Sequence, residues 1–461
     1  MSSLEYRQPV LSWTERPMAE LIRLAWPIAV TALSYSAMTL VDTIYVAGLG
    51  RGPLAAVGLG GVAAFTFLCF SMGLLRGVKI LVSQAVGAGH EAEAGRYTAA
   101  GLFLALGLGV VTTVVGVIVS PLVADLASSP ETGALAGHYL VIRIVSAPVL
   151  LVYVALRESR YGLSDARSPM LAAVSANLLN ILLDYVFIIL LDGGVAGAAW
   201  ATVAGVVFEC AVLLYVAGRE PWRQLGRGRA HVASVWRVGV PTGVQFLLEV
   251  GSFSLLSAII AGMTPVQMAA HQLAIQALHF SFLPAWALAE AGSVLAGQAV
   301  GAERDDLVRA VGVRALLLAA IYTGFCTLLF VVIAPRALAA SLDDPQLVQV
   351  TASLLAVAAI FQVADGANVV ARGILRGTGD VRFPAVIGIV TAWVCVPPLA
   401  WFFGVRLGMG ALGGWIGLCL EIFVGAALFW WRLWRGHWMK AAEITRAEVR
   451  SRSLADAAAG V

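Results

Sequence analysis

Apolar residues run along this chain in long blocks separated by short polar stretches. Blocks of spanning length fall near residues 21–48, 53–78, 98–120, 136–158, 169–191, 195–218, 239–262, 267–296, 311–334, 346–371, 384–404 and 410–431. A bilayer core ~30 Å thick takes ~20 helical residues to cross. Lipid tolerates no unpaired backbone groups, so runs of this length predict helices rather than barrel strands. The pattern predicts an all-α polytopic membrane protein with twelve transmembrane helices.

Composition agrees. Of 461 residues, 60% are hydrophobic and 12% charged, against about 25% charged in soluble proteins. Cys69, Cys210, Cys326, Cys395 and Cys419 sit singly in apolar runs, so neither a disulfide framework nor a zinc site is implied. The N-terminus is polar and carries two glutamates before any apolar run, unlike a cleaved signal peptide. The first span itself is expected to direct insertion.

The basic residues orient the spans. Short cytoplasmic loops collect Lys and Arg, and alternate connections here, with both termini, hold 26 of the 30 basic residues. The opposite set holds Arg51, Arg336 and Arg406, while Arg143 falls within a span. Both termini are therefore expected on the cytoplasmic side of the cell's inner membrane.

The two halves are related. Arg23 and Pro27 match Arg237 and Pro241, and SQAVGAG from Ser83 matches GQAVGAE from Gly297, at an offset of 214. Arg157, Gly162, Asp165, Pro169 and Trp200 match Arg372, Gly377, Asp380, Pro384 and Trp415 at 215. So steady a register marks a duplication. Six helices per copy put both copies in one orientation, as parallel repeats. The expected organisation is a cytoplasmic segment 1–20, a six-helix bundle 21–218, a basic linker 219–237, a second pseudo-symmetric six-helix bundle 238–435 and a cytoplasmic tail 436–461. Two bundles sharing a midplane site suit alternating access. Small residues at the helix ends also serve close packing.

Symmetry breaks at the acids. Asp42 corresponds to Leu256, Asp184 to Leu399 and Asp365 to Leu150. An ionisable group within a span costs about 2.5–3.5 kcal/mol even on the lenient insertion scale, so each acid calls for a function. Asn177, Asn180 and Asp184 recur at i, i+3 and i+7 on one face of the fifth span, with Thr202 one span later. A carboxylate pair, an amide oxygen and a hydroxyl are hard donors suited to a small hard cation. A proton shared between the two carboxylates is the competing occupant, and helix cross-linking by hydrogen bonds is the bland alternative. In the second half Glu249, Glu290 and Asp365 lie in the seventh, eighth and tenth spans, with Glu290 placed to pair instead with a loop arginine. Glu209 and Glu421 read as structural, partnered by His271 or an arginine. His271 and His279 read as helix-packing residues able in principle to relay protons. Phe246, Phe253, Phe280, Phe282, Trp286, Phe361 and Trp393 are candidates for cavity walls or ordinary packing. Trp430, Trp431, Trp434 and Trp438 suggest an interfacial belt.

The duplicated plan, VDTIYVAGLG after the first span, VSQAVGAG with its echo GQAVGAE, and ARGILRGTGD after the tenth resemble the MATE (multidrug and toxic compound extrusion) family over residues 20–435. The resemblance implies two six-helix bundles forming a V-shaped cleft and export of organic cations and drugs in exchange for inward H+ or Na+. It also implies that Asp42, Asn180, Asp184 and Thr202 match the N-lobe cation site of DinF-type members. Glu249 and Asp365 resemble the C-lobe acids of NorM-type members. Phe361 stands where that branch often has a tyrosine, which turns Glu249 and Asp365 from sodium toward proton carriage or attraction of a cationic substrate.

A secondary antiporter is the reading these features favour, coupled through Asp42, Glu249, Glu290 and Asp365. It needs no cofactor beyond the coupling ion. Its partners are small organic cations or drugs and the lipid bilayer, with no nucleic acid, and a monomer is expected. A flippase for a lipid-linked cargo would want a cationic cavity, whereas the intramembrane charges here are mainly acids. A membrane transferase would want a nucleophile and base or a metal-spaced set near an interface, and none is found. No phosphate-cradling Gly-rich loop points to ATP.

Overall fold

A computed structural model describes residues 11–127 and 129–458, so part of the expected N-terminal segment lies outside the described residues. Among those described there are helices and no strands. The spans are Pro17–Ala47, Arg51–Gly87, Glu91–Ala124, the pair Pro130–Val145 and Ala147–Gly162, Arg167–Leu190, Gly194–Ala217, Leu225–Ala261, Pro265–Gly301, Asp305–Ser341, Pro345–Gly377, Arg382–Arg406 and Ala411–Arg435. They are called the first to twelfth spans below. Eleven are single helices and the fourth is a pair bent by 49°, so the twelve-helix fold holds if the bent pair counts as one.

Several helices outrun their apolar blocks. The second span reaches Gly87 and the third begins at Glu91, which puts Lys79 and Arg96 on helices rather than in the expected loop. Lys79 approaches Glu158 at 3.8 Å and Arg96 pairs with Glu93. With partners on neighbouring turns and spans, the helix can continue past the hydrocarbon. The fourth span is not the unbroken helix expected over 136–158. Pro148 cannot donate a backbone bond, and the break falls at Ser146, whose hydroxyl donates to the Arg143 carbonyl (2.7 Å) while Thr113 caps that of Ile144 (2.9 Å).

Helix starts follow capping chemistry. Ser129, Thr264 and Asp344 each accept a hydrogen bond from a first-turn amide and are followed by proline, the combination that satisfies orphan amides and presets φ. Exposed Val111, Ile118 and Leu122 on the third span, and Ile321, Phe325 and Leu328 on the ninth, form broad apolar faces suited to lipid. The fifth span is the inverse of a soluble amphipathic helix. Leu171, Leu178 and Leu182 are exposed while Asn177, Asn180 and Asp184 are buried.

The described chain divides into two compact units. One comprises residues up to Ala29, Ser83–His90 and residues from Gln245 on; the other is Val30–Val82 with Glu91–Val244. We call them the second-half and first-half units. Within the first-half unit, the second and seventh spans cross at Gly73 and Gly77 against Gly239 and Gly243. A Cβ on Gly239 would stand 2.1 Å from the Leu74 carbonyl oxygen, so the backbones touch as small-xxx-small pairs permit. The first part of the expected linker, residues 220–231, folds into short helical turns docked on the third span, and the rest continues into the long helix of the seventh span. Gly228 lies against Ala99 and Ala100, and Arg229 stands over Phe103 at 5.3 Å.

Candidate functional site

In the first-half unit the first, fifth and sixth spans bring Asp42, Asn180, Asp184 and Thr202 together. Asn180 is 1% and Asp184 0% exposed. In the one orientation that satisfies its amide, Asn180 donates to Asp42 Oδ1 at 3.0 Å and accepts from the Thr202 backbone N–H at 3.1 Å. The Thr202 hydroxyl donates to the Ala198 carbonyl at 3.0 Å, which leaves its lone pairs as the face it offers the site. The Asp42 and Asp184 carboxyls stand within reach of each other, and Arg143 of the fourth span acts on both electrostatically. Asp184 Oδ1 has no hydrogen-bond partner, although a buried acceptor left unpaired costs about 1–3 kcal/mol. Gly205, whose added Cβ would touch Asn180 at 3.4 Å, lets the fifth and sixth spans close around it.

The repeat shows what this site would be without its acids. Leu256, counterpart of Asp42, is fully buried in an apolar cluster with Ile260, Phe361 and Trp415. Gly417 replaces Thr202, and a Cβ there would lie 2.6 Å from the carbonyl of Cys395, the counterpart of Asn180. The helices have closed over the equivalent space. A π-helical stretch follows both Asp184 and Leu399 (Tyr185–Leu190 and Ala400–Arg406), so that irregularity belongs to the scaffold and not to the acid.

The second-half unit contains a cavity of about 400 Å³ lined by Phe246, Glu249, Phe253, His279, Phe282, Asp365, Asn368, Arg372 and Glu421 among others. Arg372 bonds both oxygens of Glu249 (3.0 and 3.2 Å) and Asn368 Oδ1 (2.9 Å), and lies 4.0 Å from Glu421. Gln245 donates to Glu249 (2.8 Å) and accepts from Arg376 (2.7 Å). Three acids and aromatic walls thus face one arginine. Gly388 makes this possible, because a Cβ there would stand 2.5 Å from Glu249 Oε1.

A family model described as MatE matches residues 27–186 and again 241–402, once in each half of the chain. The chain belongs to the MATE family. It is therefore a multi-pass membrane transporter and not an enzyme. It is 30% identical over 428 residues to a probable multidrug resistance protein NorM of Pseudomonas syringae pv. tomato, covering 88% of this chain and 92% of that one. The corresponding protein of Pseudomonas putida is 30% identical over 439 residues, covering 90% and 94%. Among solved structures, an outward-facing multidrug resistance MATE family transporter aligns with a TM-score of 0.84 at 23% identity over 94% of this chain and 96% of that one. A MOP superfamily transporter from Pyrococcus furiosus aligns at 0.83 and 22%, covering 94% and 97%. At these identities the structures establish the fold alone.

Within this MATE chain, Glu249 and Asp365 face one cavity, whereas Glu290, 5% exposed on the eighth span, is not among its lining residues. Phe361 is fully buried against Trp415 and Trp393 donates to the Leu248 carbonyl, so neither walls the cavity. His271 has the packing role, accepting from Trp415 (3.1 Å) and bonding Ser257 (3.2 Å). Of the partners suggested for Glu209 and Glu421, His271 or an arginine, Glu421 has the arginine, Arg372 at 4.0 Å, while His271 bonds neither. Glu421 is bonded by Thr391 (3.4 Å), and Glu209 by the Tyr35 hydroxyl, which also contacts that of Tyr153 (3.2 Å). Trp431 and Trp434 are exposed as belt residues should be, but Trp438 is fully buried and donates to the Leu433 carbonyl (3.2 Å). Sequence reasoning missed Arg372 as a cavity residue by placing it in a loop. It lies on the same face of the tenth span as Asp365 and Asn368, at i+7 and i+4, a spacing that was available to be read.

Proposed function

We propose that this protein is a multidrug efflux antiporter of the inner membrane, working as a monomer with both termini cytoplasmic. It exports organic, cationic or lipophilic compounds in exchange for an inward cation by alternating access. The observation that carries the reading is the Asp42–Asp184 pair gathered on one site with Asn180 and the Thr202 backbone. Two carboxyls held this close share a proton more readily than both ionise. H+ is the occupant this arrangement favours; Na+ would have to part the two carboxyls and recruit Thr202. Glu249, Asp365 and Glu421 give the second-half cavity its preference for positive charge, and aromatic faces suit a lipophilic cation. A pyrophosphate cargo would want several cations there, and the cavity's one arginine is already held by Glu249. The relatives, named probable multidrug resistance proteins, agree in substrate class.

The test is efflux of a fluorescent organic cation from vesicles driven by a pH gradient alone or a sodium gradient alone. Asp42→Asn and Asp184→Asn are expected to abolish pH-driven efflux while leaving the protein folded. Undiminished pH-driven efflux in both variants would remove the pair from the coupling step, and efflux driven by sodium alone would reassign the occupant.

A further inference from the structure

Two turns from the Asp42–Asp184 pair, each of the three helices that build it carries a second polar residue. Tyr35, Asn177 and Glu209 stand seven residues from Asp42, Asp184 and Thr202 respectively. The first and fifth spans run one way and the sixth the other. All three displacements, about 10 Å at 1.5 Å per residue, therefore point to the same end of the bundle. The fourth span repeats the arrangement across its bend, with Arg143 by the acid pair and Tyr153 and Arg157 by the second layer.

At the centre of this layer is Glu209, 2% exposed. The Tyr35 hydroxyl donates to Glu209 Oε1 and also contacts the Tyr153 hydroxyl at 3.2 Å. Ser34, beside Tyr35, is joined to Asn177 at 2.8 Å. The cation nearest this carboxyl does not neutralise it directly. Arg157 stands over the Tyr153 ring at 5.8 Å and spends a hydrogen bond on Glu158 (2.9 Å), which Lys79 also approaches at 3.8 Å. The groups facing Glu209 are thus two phenols, then Arg157, with Glu158 and Lys79 behind it. A buried carboxylate with no ion-pair partner is costly to keep as an anion. Two hydroxyls that can either donate or accept fit both its protonation states. In the repeat, position 209 corresponds to Val424 and Tyr35 to Glu249, while Arg157 matches Arg372, so the arginine is common to both halves and the carboxyl stands on a different helix in each.

We propose that Glu209, with Tyr35 and Tyr153, is a second proton-binding centre of the first-half unit, distinct from the Asp42–Asp184 pair. In the step proposed, the Tyr35 O–H bond breaks as its proton moves to Glu209 Oε1, forming the carboxylic acid. The phenolic oxygen takes up a proton from its half-buried outer side, so the tyrosine is regenerated and one proton is gained. Release reverses both transfers. This rests on reading the first-half unit as a proton site, but its test does not depend on transport. Infrared difference spectra of the purified full-length protein across a pH titration read the carbonyl band of each protonated carboxyl. Glu209→Gln, which keeps the shape and an acceptor for Tyr35, is expected to remove one titrating band that Asp184→Asn leaves in place. Tyr35→Phe, which drops the donor, is expected to shift that band without removing it. If Glu209→Gln and Tyr35→Phe both leave every titrating band of the wild type unchanged, the proposal is overturned. Should Glu209→Gln fail to fold, the Tyr35→Phe shift decides alone. A failed efflux prediction for Asp42→Asn with the Glu209 band present would refute the coupling role of the pair and not this centre.

Discussion

Glu249 and Arg372 show how a single contact can set both stability and selectivity. Their side chains are 17% and 16% exposed and meet at 3.0 Å. Truncating one member of such a pair leaves the other charge poorly compensated. Arg372→Gln should therefore destabilise the protein by about 3 kcal/mol, the low end of the range for breaking a buried pair, because some water reaches this one. The same change frees Glu249 inside the cavity and should tighten binding of a monovalent organic cation, read by fluorescence titration. The double variant Glu249→Gln with Arg372→Gln should recover much of the stability and lose the gain in affinity, with a coupling energy measurable by a thermodynamic cycle. Cation affinity unchanged in Arg372→Gln would mean that Glu249, once released, is not a group that binds the cation. At this scale the acids were legible in the sequence, because an intramembrane carboxylate is conspicuous wherever it stands. Their partners were less so. Tyr35 pairs with Glu209 across two spans, and only the matched seven-residue steps from Asp42 and Thr202 hint at it.

Several helix crossings here are made through glycine. The crossing of the second and seventh spans leaves no room for a methyl group at Gly239, whereas Gly107 has nothing within 4 Å of its added Cβ. Gly239→Ala should cost about 1–3 kcal/mol by overpacking, lowering the unfolding temperature in detergent, and Gly107→Ala should be neutral. Equal behaviour of the two would show that the crossing relaxes freely. The number of spans could be read from hydropathy because lipid imposes it. Their ends could not, since helices continue wherever charged residues such as Arg96 find partners beyond the hydrocarbon. The fourth-span break was marked by Ser146 and Pro148, but an apolar run around a proline also fits a mildly kinked helix. The tenth span, its repeat counterpart, carries Phe361 and Val363 at these places and stays unbroken.

At the scale of the whole chain, the two compact units do not follow the sequence halves. The first span passes from one unit to the other after Ala29 and the seventh after Val244. These points lie two residues beyond Pro27 and three beyond Pro241, and they are repeat-equivalent to within one residue. A helical proline removes the bond to the carbonyl four residues earlier, so each helix is loosened where it leaves one unit for the other. That placement is symmetric, while the acids are not: Asp42 has Leu256 as its counterpart. If proline serves the passage between units, Pro27→Ala and Pro241→Ala should alter efflux rate to the same degree, and neither should change proton occupancy of the Asp42–Asp184 pair in infrared titration. If Pro27 instead belongs to the response of the first span to Asp42, Pro27→Ala alone should lose transport and Pro241→Ala should retain it. The geometry supports the symmetric outcome, because the sequence has kept proline at both passages and the acid at one.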